Sequence, residues 1–224
     1  MLFRSGVMLR VSLEDMQSIE RNVLRCKKVI SELLKFSSAQ EFVIQVINVK
    51  QPLNDALSLL QNRIALAGVK IQWKSETDPS LFTLRASYSY MQQVFFNILL
   101  NSLRAMPQGG TLTLSLEHKS IVNERNIFCA VVDVGIQDTG VGIPEEKLKN
   151  LFEPLFSQEG HTTRGDTGLG LLVAQSIVAR HNGKIFVESE GEGKGTKITV
   201  RLPAAGGSDD SKADAKPFGD KEVA

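Results

Sequence analysis

The sequence predicts a two-layer α/β sandwich, with helices on one face of a mixed sheet and a long helix in front of it. Three observations carry this. Residues from about 9 to 37 contain no Gly and no Pro, and Met16, Ile19, Val23, Cys26, Ile30 and Leu33 recur at alternating steps of three and four. Between 42 and 203, stretches of helical period and stretches of strict alternation follow one another. The last two alternating stretches, "KIFVESE" and "TKITVRLP", read as a closing hairpin, so antiparallel pairs belong to the sheet.

The elements follow in order. The first helix carries a narrow apolar seam, the pattern of a helix in a bundle or coiled coil; packing on the domain's own core is the other reading. "FVIQVIN" (42–48) reads as a strand. Residues 51–67 read as a helix stopped by Gly68. "VKIQWKS" (69–75) and "LFTLR" (81–85) read as strands. Residues 87–106 give the strongest helix, with Met91, Val94, Phe95, Ile98, Leu99, Ser102, Leu103 and Met106 at i, i+3, i+4, i+7 spacing. "QGG" (108–110) turns the chain into "TLTLSLEH" (111–118) and "IFCAVVDVGIQD" (127–138), an antiparallel pair around a polar loop. An irregular stretch, 139–167, precedes a helix over 168–181, with Leu169, Leu172, Val173 and Ile177 on one face. The tail 204–224 has almost no bulky apolar residue and is expected to be disordered.

Composition narrows the function classes. Apolar residues are 42% and charged residues 23%, with a formal net charge of +1, so no nucleic-acid surface is indicated. No apolar run approaches the ~18 residues of a membrane span. The start "MLFRSGVMLR" lacks the apolar core and cleavage site of a signal peptide. Cys26 and Cys129 lie far apart without metal-ligand spacing, which suits reduced, half-buried thiols. The expected location is the cytoplasm, with a membrane anchor elsewhere in the full-length protein left open.

Four short stretches carry chemistry. "NILLN" places Asn97 and Asn101 one turn apart beside the buried stripe of the strongest helix. They form a solvated polar face, or their amide oxygens point into a cleft and take an Mg²⁺ that keeps several waters. "DTGVGIP" (138–144) ends a strand with Asp138 and turns through Gly140 and Gly142. The aspartate initiates a turn, or it accepts from an exocyclic amine while the glycines admit a flat base. "FEPLF" (152–156) frames a proline with Phe152 and Phe156, as a core edge or a site wall. "GDTGLGL" (165–171) is neither a Rossmann nor a Walker loop. Gly168 and Gly170 open a helix whose first N–H groups suit phosphate, or they are a glycine-rich entry and no more.

In this order and spacing, the four stretches resemble the boxes of the ATP-binding domain of sensor histidine kinases. That domain belongs to the superfamily shared with gyrase, the heat-shock chaperone ATPases and the mismatch-repair ATPases. The resemblance covers about 41–203, and residues 8–38 are similar to the second helix of the family's dimerisation and phosphoacceptor hairpin. It implies the histidine-kinase-type ATPase fold, Asn101 as the principal Mg²⁺ ligand with Asn97 assisting, and both as the catalytic pair. It implies that Asp138 reads the adenine amino group and that 143–166 is a lid over ATP. It also implies that the amides around Gly168, Leu169, Gly170 and Leu171 hold phosphates. Gly140, Gly142, Ile143, Phe152, Phe156, Gly165, Thr167 and Thr196 complete the implied nucleotide site.

Hydrolytic members of the superfamily carry a Glu base where this chain has Asn97. A carboxamide takes no proton from water near neutral pH, so transfer to a histidine is favoured over hydrolysis. The chain departs from the family in its histidines. Only His118, His161 and His181 are present. His118 and His181 read as surface residues, and His161 lies in the lid, where it can reach the γ-phosphate. The phosphoacceptor helix is therefore expected to be absent, and the chain alone is not expected to autophosphorylate. "LFSQE" also stands where the family often has "FFTTK"; Arg164 can supply the missing cation beside Glu159. Expected partners are a phosphoacceptor helix, a response-regulator receiver domain and a second copy through 8–38. A serine protein kinase of the same fold, or a non-catalytic nucleotide- or partner-binding module, is the alternative.

Overall fold

The computed structural model describes residues 42–74, 79–122, 126, 128–149, 151–152 and 169–205, together with Met16. Apart from Met16, the expected seam over 8–38 with Cys26 therefore lies outside the described residues, as do the lid positions Phe156 and His161 and the tail 206–224.

The described body opens with strand β1 (Gln45–Asn48) and helix α1 (Lys50–Ala67), which stops at Gly68; its N–H bonds the carbonyls of Ala65 and Ile64. Strand β2 (Val69–Lys74), a 3₁₀ turn (Pro79–Phe82) and strand β3 (Thr83–Ala86) lead to helix α2 (Tyr88–Ala105). Strands β4 (Gly110–Val122) and β5 (Phe128–Asp138) follow, then a single helical turn α3 (Glu145–Leu148). Helix α4 (Leu169–Arg180) and strands β6 (Lys184–Glu188) and β7 (Thr196–Pro203) complete the fold.

The main sheet has the order β2-β4-β5-β7-β6. Only β2–β4 is parallel, as a crossover through the 3₁₀ turn, β3 and α2 requires; the other pairs are antiparallel. Alternation sends Leu112, Leu114 and Leu116, Val132, Val134 and Ile136, and Ile198, Val200 and Leu202 to one face, all buried. Helix α2 is the centre of the layer that covers them, packed between α1 and α4. Its predicted stripe is buried from Met91 through Leu103, with Met106 closing it.

The opposite face is polar. There Asp133, 4% exposed, takes a two-point ion pair from Arg201, with Nε–Oδ1 and Nη2–Oδ2 both 2.8 Å. Lys119 lies 3.3 Å away on the other side. Cys129 is half-buried, as expected.

Three expectations are corrected. The first strand is short and pairs with β3 in a separate two-stranded sheet, not with the main one. Past β7 the chain joins that small sheet: Ala204 bridges Leu84, its N–H bonds the Ala130 carbonyl, and the Ala205 N–H bonds the Thr83 carbonyl. In α4 the buried face is Leu171, Ala174, Ile177 and Val178, whereas Leu172 and Val173 are half-buried. Of Leu172, Val173 and Ile177 in the predicted set, only Ile177 is fully buried there. Nearly every residue of this helix is apolar, so periodicity alone does not choose the face. Third, His181 is not a surface residue. It is 6% exposed and lies between Ser87 and Ile177, while His118 is exposed as expected.

Candidate functional site

Helix α2 is buried along most of its length, so Asn97 and Asn101 are held on a rigid element with their side chains half-exposed. The Asn97 amide Nδ2 donates to the Gly170 carbonyl in the first turn of α4, at 3.1 Å. A Cβ built at Gly170 would lie 3.7 Å from Asn97 and 3.9 Å from the Asn101 Oδ1, which is ordinary contact. Packing within the protein thus leaves room for a side chain at 170, and the glycine keeps that room open between the two asparagines and the start of α4. The first N–H groups of a helix lack intrahelical acceptors. Leu171 buries its side chain in the core, leaving only its backbone for the cleft. Carboxamide oxygens beside such a helix start fit Mg²⁺, which favours oxygen ligands and keeps waters.

Asp138 ends β5 at 4% exposure. Its Oδ1 accepts from the Gly140 N–H at 2.9 Å and the Thr196 N–H at 3.2 Å. Burial pushes its carboxyl above the usual range, and the two backbone donors and the nearby Ser102 hydroxyl oppose that shift. The Ser102 Oγ itself is buried and, among the described residues, makes no hydrogen bond of good geometry.

The loop after Asp138 is shaped by the protein itself. A Cβ at Gly140 would sit 2.5 Å from the Ala105 carbonyl oxygen. Gly142 has φ +70°, and a Cβ there would sit 2.0 Å from the Gly191 carbonyl oxygen. The loop is knitted to the β6–β7 turn by Gly193 N–H to the Val141 carbonyl (2.7 Å) and Gly195 N–H to the Gly140 carbonyl (3.1 Å). Ser189 Oγ accepts from the Ile143 N–H at 2.9 Å and donates to the Gly195 carbonyl at 2.7 Å.

The structure thus brings Asn97, Asn101, Gly170 and Leu171 together at one place, and Asp138, Gly140, Gly142, Ile143 and Thr196 at another, with α2 common to both through Ser102. Phe152 is half-buried in a turn after α3. Phe156, Arg164, Gly165, Thr167 and Gly168 lie outside the described residues, as does the side chain of Leu169. Sequence reasoning missed Ser102, Ser189, Gly191 and Gly195. The alternate glycines of "GEGKG" (191–195) were the available signal for a tight turn.

Comparison with known proteins bears on this arrangement. Residues 87–206 match the family model described as "Histidine kinase-, DNA gyrase B-, and HSP90-like ATPase". Sporulation kinase E of Bacillus subtilis (strain 168) is 31% identical over 92% of this chain and 27% of its own length. Sensor histidine kinase ZraS of Salmonella typhi is 31% identical over 84% of the chain and 37% of its own length. The chain therefore spans well under half of these curated relatives. Among solved structures, the catalytic domain of histidine kinase ThkA aligns with TM-score 0.57 at 22% identity, covering 72% of this chain and 97% of that one. ThkA in complex with the response regulator protein TrrA aligns with TM-score 0.61 at 18% identity, over 91% of this chain and 53% of that one. These two likenesses speak to the fold, and the fold is that of the domain the four boxes predict. The chain belongs to the histidine kinase-, DNA gyrase B- and HSP90-like ATPase family, and it carries a nucleotide-binding catalytic domain of the histidine-kinase type.

Proposed function

We propose that this chain is the ATP-binding catalytic region of a sensor histidine kinase, which presents the γ-phosphate of Mg-ATP to a histidine on a partner helix. The observation that carries the reading is the bond from Asn97 Nδ2 to the Gly170 carbonyl. It ties the residue at the hydrolytic position to the helix start that faces phosphate, and a carboxamide so held takes no proton from water. A neutral imidazole nitrogen needs no such base. The nitrogen–phosphorus bond forms as the bond from phosphorus to the ADP oxygen breaks, and the electron pair leaves on ADP.

The chain's contribution is positioning and charge complementarity. Asn101, with Asn97 beside it, holds the metal ion; bound Mg²⁺ supplies charge neutralisation on the phosphates. The N–H groups from Gly168 to Leu171 take phosphate oxygens. Asp138 accepts from the adenine amino group, kept in place by Gly140 and Thr196. Arg164 completes the proposed set as a cation for the phosphates. Residues 8–38 pair two copies, and a receiver domain takes the phosphate onward, a reading supported by the regulator-bound relative of the same fold.

Two measurements test this. Asp138→Asn keeps an oxygen for Gly140 and Thr196 but replaces a charged acceptor with a donor, so ATP affinity should fall by about tenfold or more. Unchanged affinity removes the adenine assignment. Labelled ATP added with a separately purified phosphoacceptor hairpin should place acid-labile label on its histidine, and Asn101→Ala should abolish it. Tight ATP binding with no label on histidine would remove the kinase reading.

A further inference from the structure

We infer that His181 is a positioning residue for the phosphate end of the site: it fixes the axial register of α4 against α2, and with it the place of Gly170 beside Asn97. The inference rests on the nucleotide reading above and adds to it a residue at the opposite end of α4. Helices α2 and α4 pack against each other, and a directional bond joins them at each end. At the site end, Asn97 Nδ2 donates to the Gly170 carbonyl. At the other end, the Ser87 N–H donates to His181 Nε2 at 3.0 Å. At a rise of about 1.5 Å per residue, the two bonds stand about 15 Å apart along α2 and about 16 Å apart along α4. The spans match, so the helices run antiparallel and a slide of either one strains both bonds.

Apolar packing sets that register less sharply. The buried face of α4 is Leu171, Ala174, Ile177 and Val178. Such contacts are non-directional, whereas a hydrogen bond weakens steeply as its length and angle depart from the optimum. His181 is itself held for the purpose. Its Nδ1 lies against the Ile177 carbonyl, which only accepts, so the Nε2 facing Ser87 carries the lone pair. The Phe42 ring packs on the imidazole with centroids 4.9 Å apart, and the Arg180 guanidinium lies 3.9 Å from the centre of that same ring. Ser87 is buried, so losing the imidazole takes from its N–H a partner that water does not readily replace. The consequence falls on phosphate and spares the base. Gly170 and Leu171 belong to the first turn of α4, whereas Asp138 and Gly140 lie at the end of β5 and in the loop after it.

The test compares the wild-type chain with His181→Gln and His181→Asn. Gln is long enough to accept from Ser87 while donating to Ile177; Asn donates to Ile177 and stops short of Ser87. Affinities for Mg-ATP and for adenosine are measured by calorimetric titration, adenosine by competition, at a temperature where all three proteins are folded. His181→Asn should lose ATP affinity by about 3- to 10-fold, the worth of one hydrogen bond. Its adenosine affinity should stay at the wild-type level, and His181→Gln should match the wild type for both ligands. Without nucleotide, the Asn97 side-chain amide signal in a nitrogen-correlated NMR spectrum should move in His181→Asn and stay in place in His181→Gln. Wild-type ATP affinity in His181→Asn, an equal loss of ATP and adenosine, no rescue by Gln, or an unmoved Asn97 signal would each overturn the inference and leave the nucleotide reading intact. A wild type that binds neither ATP nor adenosine would instead remove the nucleotide reading, while the Asn97 signal would still decide whether His181 sets the register.

Discussion

His181 has its proton fixed by its neighbours. Its Nδ1 lies 2.7 Å from the Ile177 carbonyl, which can only accept, and its Nε2 lies 3.0 Å from the Ser87 N–H, which can only donate. The ring is therefore the neutral Nδ1–H tautomer, joining the end of α4 to the start of α2. Burial first, and then the charge of Arg180, push its pKa below the ordinary 6.5; the Ile177 carbonyl acts the other way. Protonation would set two N–H groups against each other. The unfolded chain binds this proton more readily, so the contribution is intact above about pH 6.5 and is lost as pH falls toward the folded value. Stability measured by urea titration should therefore drop on going from pH 7.5 to 5.5, with a slope approaching 1.4 kcal/mol per pH unit at most. In His181→Gln that part of the slope should vanish. Nothing local to His181 signals this. "ARHNGK" looks like a surface turn, and the partner Ser87 lies 94 positions away.

At the scale of elements, the loop carrying Gly140 and Gly142 and the turn carrying Gly191 and Gly195 hold each other in shape. Gly142→Ala would bring a methyl group against the Gly191 carbonyl in a left-handed backbone. It should cost about 2 kcal/mol or more in a denaturant melt and weaken ATP binding with it, since Gly140 next door holds Asp138. The individual elements were largely legible because their periods are clean. The α2 stripe is the clearest case, since polar residues interrupt its apolar ones at helical spacing. The face of α4 was not legible, because its polar residues, Gln175, Ser176 and Arg180, come late and leave its first half without a marked solvent side. Asn97, Asn101 and Asp138 were legible as a set from their order along the chain. Ser189 and Gly195, which hold the loop after Asp138, were not, because only the folded sheet brings the β6–β7 turn beside the end of β5.

Across the whole molecule, the two faces of the main sheet hold different risks. On the helix-covered face, loss of one side chain leaves a cavity. On the other, Asp133 is buried with its charge balanced by Arg201. Arg201→Met should leave that carboxylate with only Lys119 at 3.3 Å, and cost roughly 3 kcal/mol in thermal or urea unfolding. Lys119→Met should cost much less, because its ammonium is half-exposed. The sheet's mixed character was predictable from the order of strands and helices. The separate β1–β3 sheet was not, since four-residue strands carry too little pattern to name their partner. That small sheet and the main one share a stretch of chain at Ala204 and Ala205, stitched to Ala130 on one side and Thr83 on the other. Tension applied to the end of β7 is thereby divided between both sheets. A chain cut after Pro203 loses this shared load path, whereas one cut after Ala205 keeps it.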